Sequence, residues 1–139
     1  MTFARSVFRF AALYGLLAVL PMYFLEARIG RDQPPAITHP EFFYGFVGVV
    51  ISWQLAFLVI AGDPKRFRPL MIPAVMEKAT FGIAVVALFT AGRVATPILV
   101  LGLIDSTLGV LFIVSFIKSA PEGQGSTLTS SREARPDDR

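Results

Sequence analysis

The chain has no cysteine and a single histidine, His39, among its 139 residues. The first absence excludes disulfides and thiol-based redox chemistry, including the paired cysteines that membrane disulfide-forming proteins need. The second removes a bis-histidine haem within one chain and a histidine-rich metal centre. Neither a cofactor nor a metal is expected. Charge is scarce too. Asp, Glu, Lys and Arg make up 17% of the chain against 54% hydrophobic residues, and the mean hydropathy is +0.62. A soluble domain of this length needs helices with a polar face. Such faces are missing here.

Four apolar runs take their place, from about Ser6 to Leu25, Phe42 to Ala61, Leu70 to Ala91 and Pro97 to Ile117. Each approaches the ~20 residues with which a helix crosses the ~30 Å hydrocarbon core. The expected fold class is all-α, a four-transmembrane-helix bundle over residues 1–118. Residues 119–139 hold few apolar side chains and many Gly, Ser and Pro, which predicts a disordered cytoplasmic tail. Arg5 and Arg9 precede the first run as they would in a secretory signal. The run is long, however, and "MYFLEARIG" offers no A-x-A cleavage pattern, so an uncleaved first span is expected.

A net charge of +3 would suggest nucleic acid only if the basic residues clustered. They mark the ends of spans instead, and no nucleic-acid partner is expected. Arg5, Arg9, Lys65, Arg66, Arg68, Lys118, Arg132, Arg135 and Arg139 fall on one side, and Arg28, Arg31 and Arg93 on the other. Lys and Arg concentrate in cytoplasmic segments, so this nine-to-three split predicts both termini in the cytoplasm. The loop "ARIGRDQPPAITHPE" is the longest connection, and its Pro34-Pro35 pair favours an extended path. Thr38 or His39 precedes Pro40 at the expected start of the second span, with Glu41 in the first turn where the helix dipole favours an anion. "GRVATP" predicts a tight hairpin between the last two spans, with Thr96 as cap and Pro97 in the first turn.

Inside the runs sit Gln54, Glu77, Lys78 and Asp105. A charged group facing lipid at the centre of a span costs about 2.5–3.5 kcal/mol, so these side chains are expected to face the bundle interior. Gly102, Ser106 and Gly109, at i, i+4 and i+7, form a small-residue face that lets another helix approach. Pro73, Glu77, Thr80 and Ala84 form a comparable face on the third span. At a rise of about 1.5 Å per residue, Glu77 and Gln54 lie roughly 10 Å and Asp105 roughly 20 Å from the cytoplasmic side. Thr80 and Ser106 fall between the two carboxylates, so a polar ladder is expected, closed on its fourth side by Tyr14 and Arg9. Lys78 points about a quarter-turn from Glu77, either snorkelling to the interface or reaching Asp105. The candidate intramembrane polar site is therefore Glu77, Asp105, Gln54, Lys78, Tyr14 and Thr80. It either braces the helices or handles a proton or polar ligand. Phe42, Phe43, Tyr44, Phe46 and Trp53 read chiefly as interface belts, and the first four also as the mouth of an apolar pocket.

The layout of four spans, the third opening with "PAVMEK" and the fourth with "GLIDSTLGVLF", resembles the DoxX-like group of small bacterial membrane proteins. The resemblance covers roughly residues 6 to 118. It implies a multi-pass protein of the bacterial inner membrane with an accessory role in a membrane complex, and it assigns no catalytic residue. Taken together, these readings predict a small integral membrane protein that contacts lipid and binds a small apolar or amphipathic ligand or a membrane-protein partner. The other readings are a proton-coupled transporter working as a weak homodimer and a membrane isomerase using Glu77 and Asp105 as acid and base. A dimer would meet on Ala11, Gly15 and Ala18 or on Gly45, Gly48 and Ser52.

Overall fold

A computed structural model describes residues 2–120; the expected tail lies almost wholly outside these residues. All regular structure in this range is helical. The chain runs as α1 (Thr2–Val19), α2 (Glu26–Asp32), α3 (Pro40–Gly62), α4 (Met71–Thr90) and α5 (Thr96–Lys118), with 3₁₀ turns at Leu20–Phe24 and Arg68–Leu70. Four segments are long and apolar enough to cross a membrane: Thr2–Phe24, Pro40–Gly62, Arg68–Thr90 and Thr96–Lys118. The chain is a small multi-pass membrane protein of four spans.

Each long helix buries one narrow stripe. On α1 it is Ala4, Phe8, Ala11 and Gly15. On α3 it is Val47, Gln54, Phe57 and Ala61. On α4 it is Met71, Ala74, Lys78, Gly82 and Val85, and on α5 Gly102, Gly109, Phe112 and Ser115. Spacings of three, four and seven keep such a stripe on one side of a helix. The outer faces carry large apolar side chains such as Leu17, Phe24, Ile83 and Val110, all exposed on the chain. In lipid these need no cover, because acyl chains are as apolar as they are.

The bundle consists of two tight pairs, α1 with α3 and α4 with α5, joined chiefly through α1 and α5. α3 and α4 barely touch, although they are consecutive. At the end bearing Arg5, Lys65, Arg66, Arg68 and Lys118, the pairs close over an aromatic core. The Phe8 ring stacks on Phe112 at 4.1 Å, and Phe57 meets both edge-on at 5.9 and 5.0 Å. Met71, Ala74, Ile60 and Leu108 complete this plug. Basic side chains tie the helix ends there. Arg5 donates to the Gly62 carbonyl at 3.1 Å, and Arg68 donates to the Phe116 carbonyl at 3.1 Å while lying over the Phe116 ring. Carbonyls at helix C-termini lack intrahelical partners and carry partial negative charge, so cations suit them.

The opposite end departs from expectation in two places. The first connection is not simply extended, since Glu26–Asp32 forms the short helix α2. Glu26 stands in its first turn, and its carboxylate accepts a hydrogen bond of 2.7 Å from the Tyr44 hydroxyl, which pins α2 against α3. Thr96 is not a cap. Ala95 holds the extended cap position, Thr96 is already helical, and no side chain caps α5. The hairpin itself forms as expected through its glycine. Gly92 takes φ +67°, and the Arg93 and Gly92 amides donate to Leu88 and Phe89 at 2.9 Å each. That pattern closes a helix with a left-handed glycine after its last turn.

Candidate functional site

Above the aromatic plug the two helix pairs diverge and leave a cavity of about 590 Å³. Its floor is polar. Lys78 is the centre, 4% exposed, on the buried stripe of α4 between Ala74 and Gly82. Its Nζ donates to both carboxylate oxygens of Asp105, at 3.1 and 3.2 Å, and lies 3.3 Å from Oε2 and 3.5 Å from Oε1 of Glu77. The ammonium also stands 5.5 Å from the centroid of the Phe57 ring, so the plug forms the underside of the floor. Helix α5 reaches this point because Gly102 and Gly109 let it close on α4. A Cβ on Gly102 would come within 2.6 Å of Val85, and one on Gly109 within 3.3 Å of the Lys78 Cβ.

The carboxylates thus converge on one ammonium and do not form the rungs of a ladder. Counting residues from each helix end placed Glu77 and Asp105 at different depths, but a lysine side chain spans the gap between them. Thr80 and Ser106 are not intermediate rungs either. Thr80 lines the cavity, yet its hydroxyl donates to the carbonyls of Met76 and Glu77, at 2.9 and 3.1 Å. The Ser106 hydroxyl donates to the Gly102 carbonyl at 2.8 Å and packs against Gly82. The expected face of Pro73, Glu77, Thr80 and Ala84 is not the buried one; Thr80 and Ala84 are exposed, and Lys78 holds the seam.

Gln54 enters the floor from α3 and Tyr14 from α1. Gln54 is 1% exposed, and its Nε2 donates to the Val50 carbonyl at 3.1 Å. Its Oε1 lies against Gly15, at a place where any side chain on residue 15 would collide with it. Among the described residues, Oε1 of Gln54 and Oε2 of Glu77 are buried and make no hydrogen bond. Glu77 Oε2 retains its ionic contact of 3.3 Å with Lys78, so of the two Gln54 Oε1 is the one without any partner, at a cost of about 1–3 kcal/mol. Arg9 is exposed and does not line the cavity, so it closes no side of it.

No family model matches the chain, and neither does a curated protein or a solved structure. The site is therefore read from its own geometry. Its walls are apolar and aromatic: Phe46, Val50 and Trp53 from α3, Phe81 from α4, Ile98 and Leu101 from α5. Phe46 and Trp53 read in the sequence chiefly as belt residues, and Phe81 was not distinguished. The signal was present in the spacing. Phe46, Val50 and Trp53 follow at i, i+4 and i+7, and Phe81 stands four residues after Glu77. Phe42 and Tyr44 are exposed and stand outside the cavity lining, as does Phe43, so of that aromatic cluster Phe46 alone lines it. Among the described residues no three His, Cys, Asp or Glu side chains gather as a metal site.

Of the two small-residue faces expected to meet a second chain, the first is occupied within this one at Ala11 and Gly15 and open at Ala18, which is exposed and lines the cavity. Ala11 and Gly15 are buried, whereas Gly45 and Ser52 are exposed, with nothing within 4 Å of a Cβ on Gly45.

Proposed function

We propose that this protein takes a small amphipathic molecule into the cavity between its two helix pairs, apolar body along the walls and polar end on the Lys78–Asp105–Glu77 floor. The observation that carries this reading is the cavity itself. About 590 Å³ of space is walled by aromatic and aliphatic side chains and ends on a few convergent polar groups. Small-molecule sites have this character, typically about 300–1,000 Å³ with a small number of placed polar groups. Helix bracing alone needs no such space. The plug of Phe8, Phe57 and Phe112 lies beneath the floor, which favours binding over passage through a single chain. Transport would call for a second copy, and Gly45, Gly48 and Ser52 form the face suited to one.

The test is native mass spectrometry of protein extracted from its own membranes. The wild type is expected to carry a bound amphiphile, and Ala18→Trp, which fills the cavity away from the ion cluster, is expected to lose it. Equal retention by both, or no bound molecule on the wild type, would overturn the reading.

The DoxX-like layout and the excess of cations at one end support an address in the bacterial inner membrane, both termini cytoplasmic, and service beside a larger membrane complex. With that orientation, reporter fusions at Gly62 and the C-terminus read as cytoplasmic and one at Gly30 as external. A C-terminal fusion active only outside the cytoplasm would reverse the topology and put the cavity in the other half of the membrane.

A further inference from the structure

Within the cavity reading just given, on which it rests, we infer that the ligand is a lipophilic organic cation, such as a protonated amine or a quaternary ammonium carried on an apolar body. Three observations converge on this class. The first is charge. Among the groups lining the cavity, the ionisable acids and bases besides Tyr14 are Glu77, Lys78 and Asp105, so two carboxyl groups face one ammonium, and with both ionised the floor lacks one positive charge. Charges removed from water need partners, and an unmatched one in apolar surroundings is expensive.

The second is hydrogen bonding. Lys78 directs its donors to Asp105 and Glu77 and has little left to offer an incoming anion. Among the described residues the buried side-chain atoms without a hydrogen bond are both acceptors: Gln54 Oε1, packed against Gly15, and Glu77 Oε2, which has only the ionic contact of 3.3 Å to Lys78. A carboxylate or phosphate ligand would meet a surplus of its own charge, with the uncharged donors of Tyr14 and Trp53 to set against it. An alcohol could satisfy an acceptor but would leave the charge unmatched. A cation supplies the missing charge.

The third is the wall. Phe46, Trp53 and Phe81 from α3 and α4 line the space above the floor, and Tyr14 from α1 enters at the floor. Aromatic faces attract ammonium groups through the ring quadrupole, most strongly where water is excluded. A carboxylate below and aromatic rings around form a cage suited to an organic cation.

The experiment compares two molecules of one shape, phenylbutylamine and its neutral counterpart phenylbutanol. Binding is titrated by calorimetry to the full chain in nanodiscs of zwitterionic lipid, with empty nanodiscs as blank. The amine is expected to bind about tenfold or more tightly than the alcohol, as a desolvated cation in an aromatic cage does. Glu77→Gln removes the surplus charge while keeping the side chain's shape. It is expected to abolish that preference, and a far-UV circular dichroism spectrum matching the wild type's shows that the variant is folded. Trp53→Leu, which leaves the ion cluster intact, is expected to reduce the preference several-fold. Equal or tighter binding of the alcohol by the wild type would overturn the cation inference while leaving the amphiphile reading in place. A preference that survives Glu77→Gln would overturn it as well. Binding of neither molecule would overturn both.

Discussion

Lys78→Met leaves little folded protein. The substitution keeps the length of the side chain and removes the one cation shared by Asp105 and Glu77. Both carboxylates are mostly buried, with 15% and 16% of their side-chain surface exposed, and no other basic residue lines the cavity. Removing one partner from a buried ion pair costs about 3–5 kcal/mol, because the other charge is left uncompensated. Native proteins have only about 5–15 kcal/mol to lose. Detergent-solubilised Lys78→Met should therefore melt far below the wild type or elute as aggregate.

The informative companion is the triple change Lys78→Met, Glu77→Gln and Asp105→Asn. It discharges the cluster while keeping its volume, which removes the uncompensated charges that make the single change costly. Most of the lost melting temperature should return. Residues that share one network are non-additive, and the size of that recovery measures their coupling. A triple variant as unstable as Lys78→Met would mean that the donors lost with Nζ matter more than its charge. Asp105→Asn alone retains a hydrogen-bond acceptor for Nζ. It should lower the melting temperature much less than Lys78→Met.

The four spans were legible because membrane crossing is a matter of length and hydropathy, and both are written in order along the chain. Which side of each span faces inward was harder. On α4 two stripes have helical spacing, Pro73–Glu77–Thr80–Ala84 and Met71–Ala74–Lys78–Gly82–Val85, and spacing alone does not choose between them. In a soluble helix the apolar side is the inner one, but in lipid both sides are apolar and that criterion fails. The deciding signal was size. Ala74 and Gly82 flank Lys78 on the second stripe, and small residues mark where helices meet. On α5 the small residues Gly102, Ser106 and Gly109 were read in this way, and that face does pack on α4. The convergence of Glu77 and Asp105 on Lys78 could not be obtained from depth counting, which ignores the reach of a lysine. Nor does any local pattern encode the divergence of α3 from α4 that opens the cavity, because it depends on which helix pairs pack.

Gly102→Ala separates α5 from α4, and it should be the most damaging of the glycine-to-alanine changes in the membrane part. An ideal Cβ on residue 102 would lie 2.6 Å from Cγ1 and 2.8 Å from Cβ of Val85. Valine is branched at Cβ and has one strongly preferred rotamer in a helix, so its side chain cannot swing aside. The backbones must part instead, and overpacking of this kind costs about 1–3 kcal/mol. At Gly82 the obstacle is the Ser106 hydroxyl, and at Gly15 the Gln54 amide. Both are the ends of side chains with some freedom to turn, so Gly82→Ala and Gly15→Ala should cost less. At Gly45 nothing lies within 4 Å of the added carbon. There alanine should stabilise the chain slightly, by up to about 1 kcal/mol, since glycine in a helix interior gives up more backbone entropy. Thermal melts in one detergent should then order the four variants, from least stable, as residues 102, 82 and 15, then 45. Spreading α4 from α5 also withdraws Asp105 from Lys78, so Gly102→Ala should lose ligand binding at temperatures where the protein is still folded. If Gly45→Ala were instead the most damaging, the exposed face of α3 would have to be covered in the membrane by something as close-fitting as the α4–α5 contact, and a second chain meeting on Gly45, Gly48 and Ser52 would become the better account of that face.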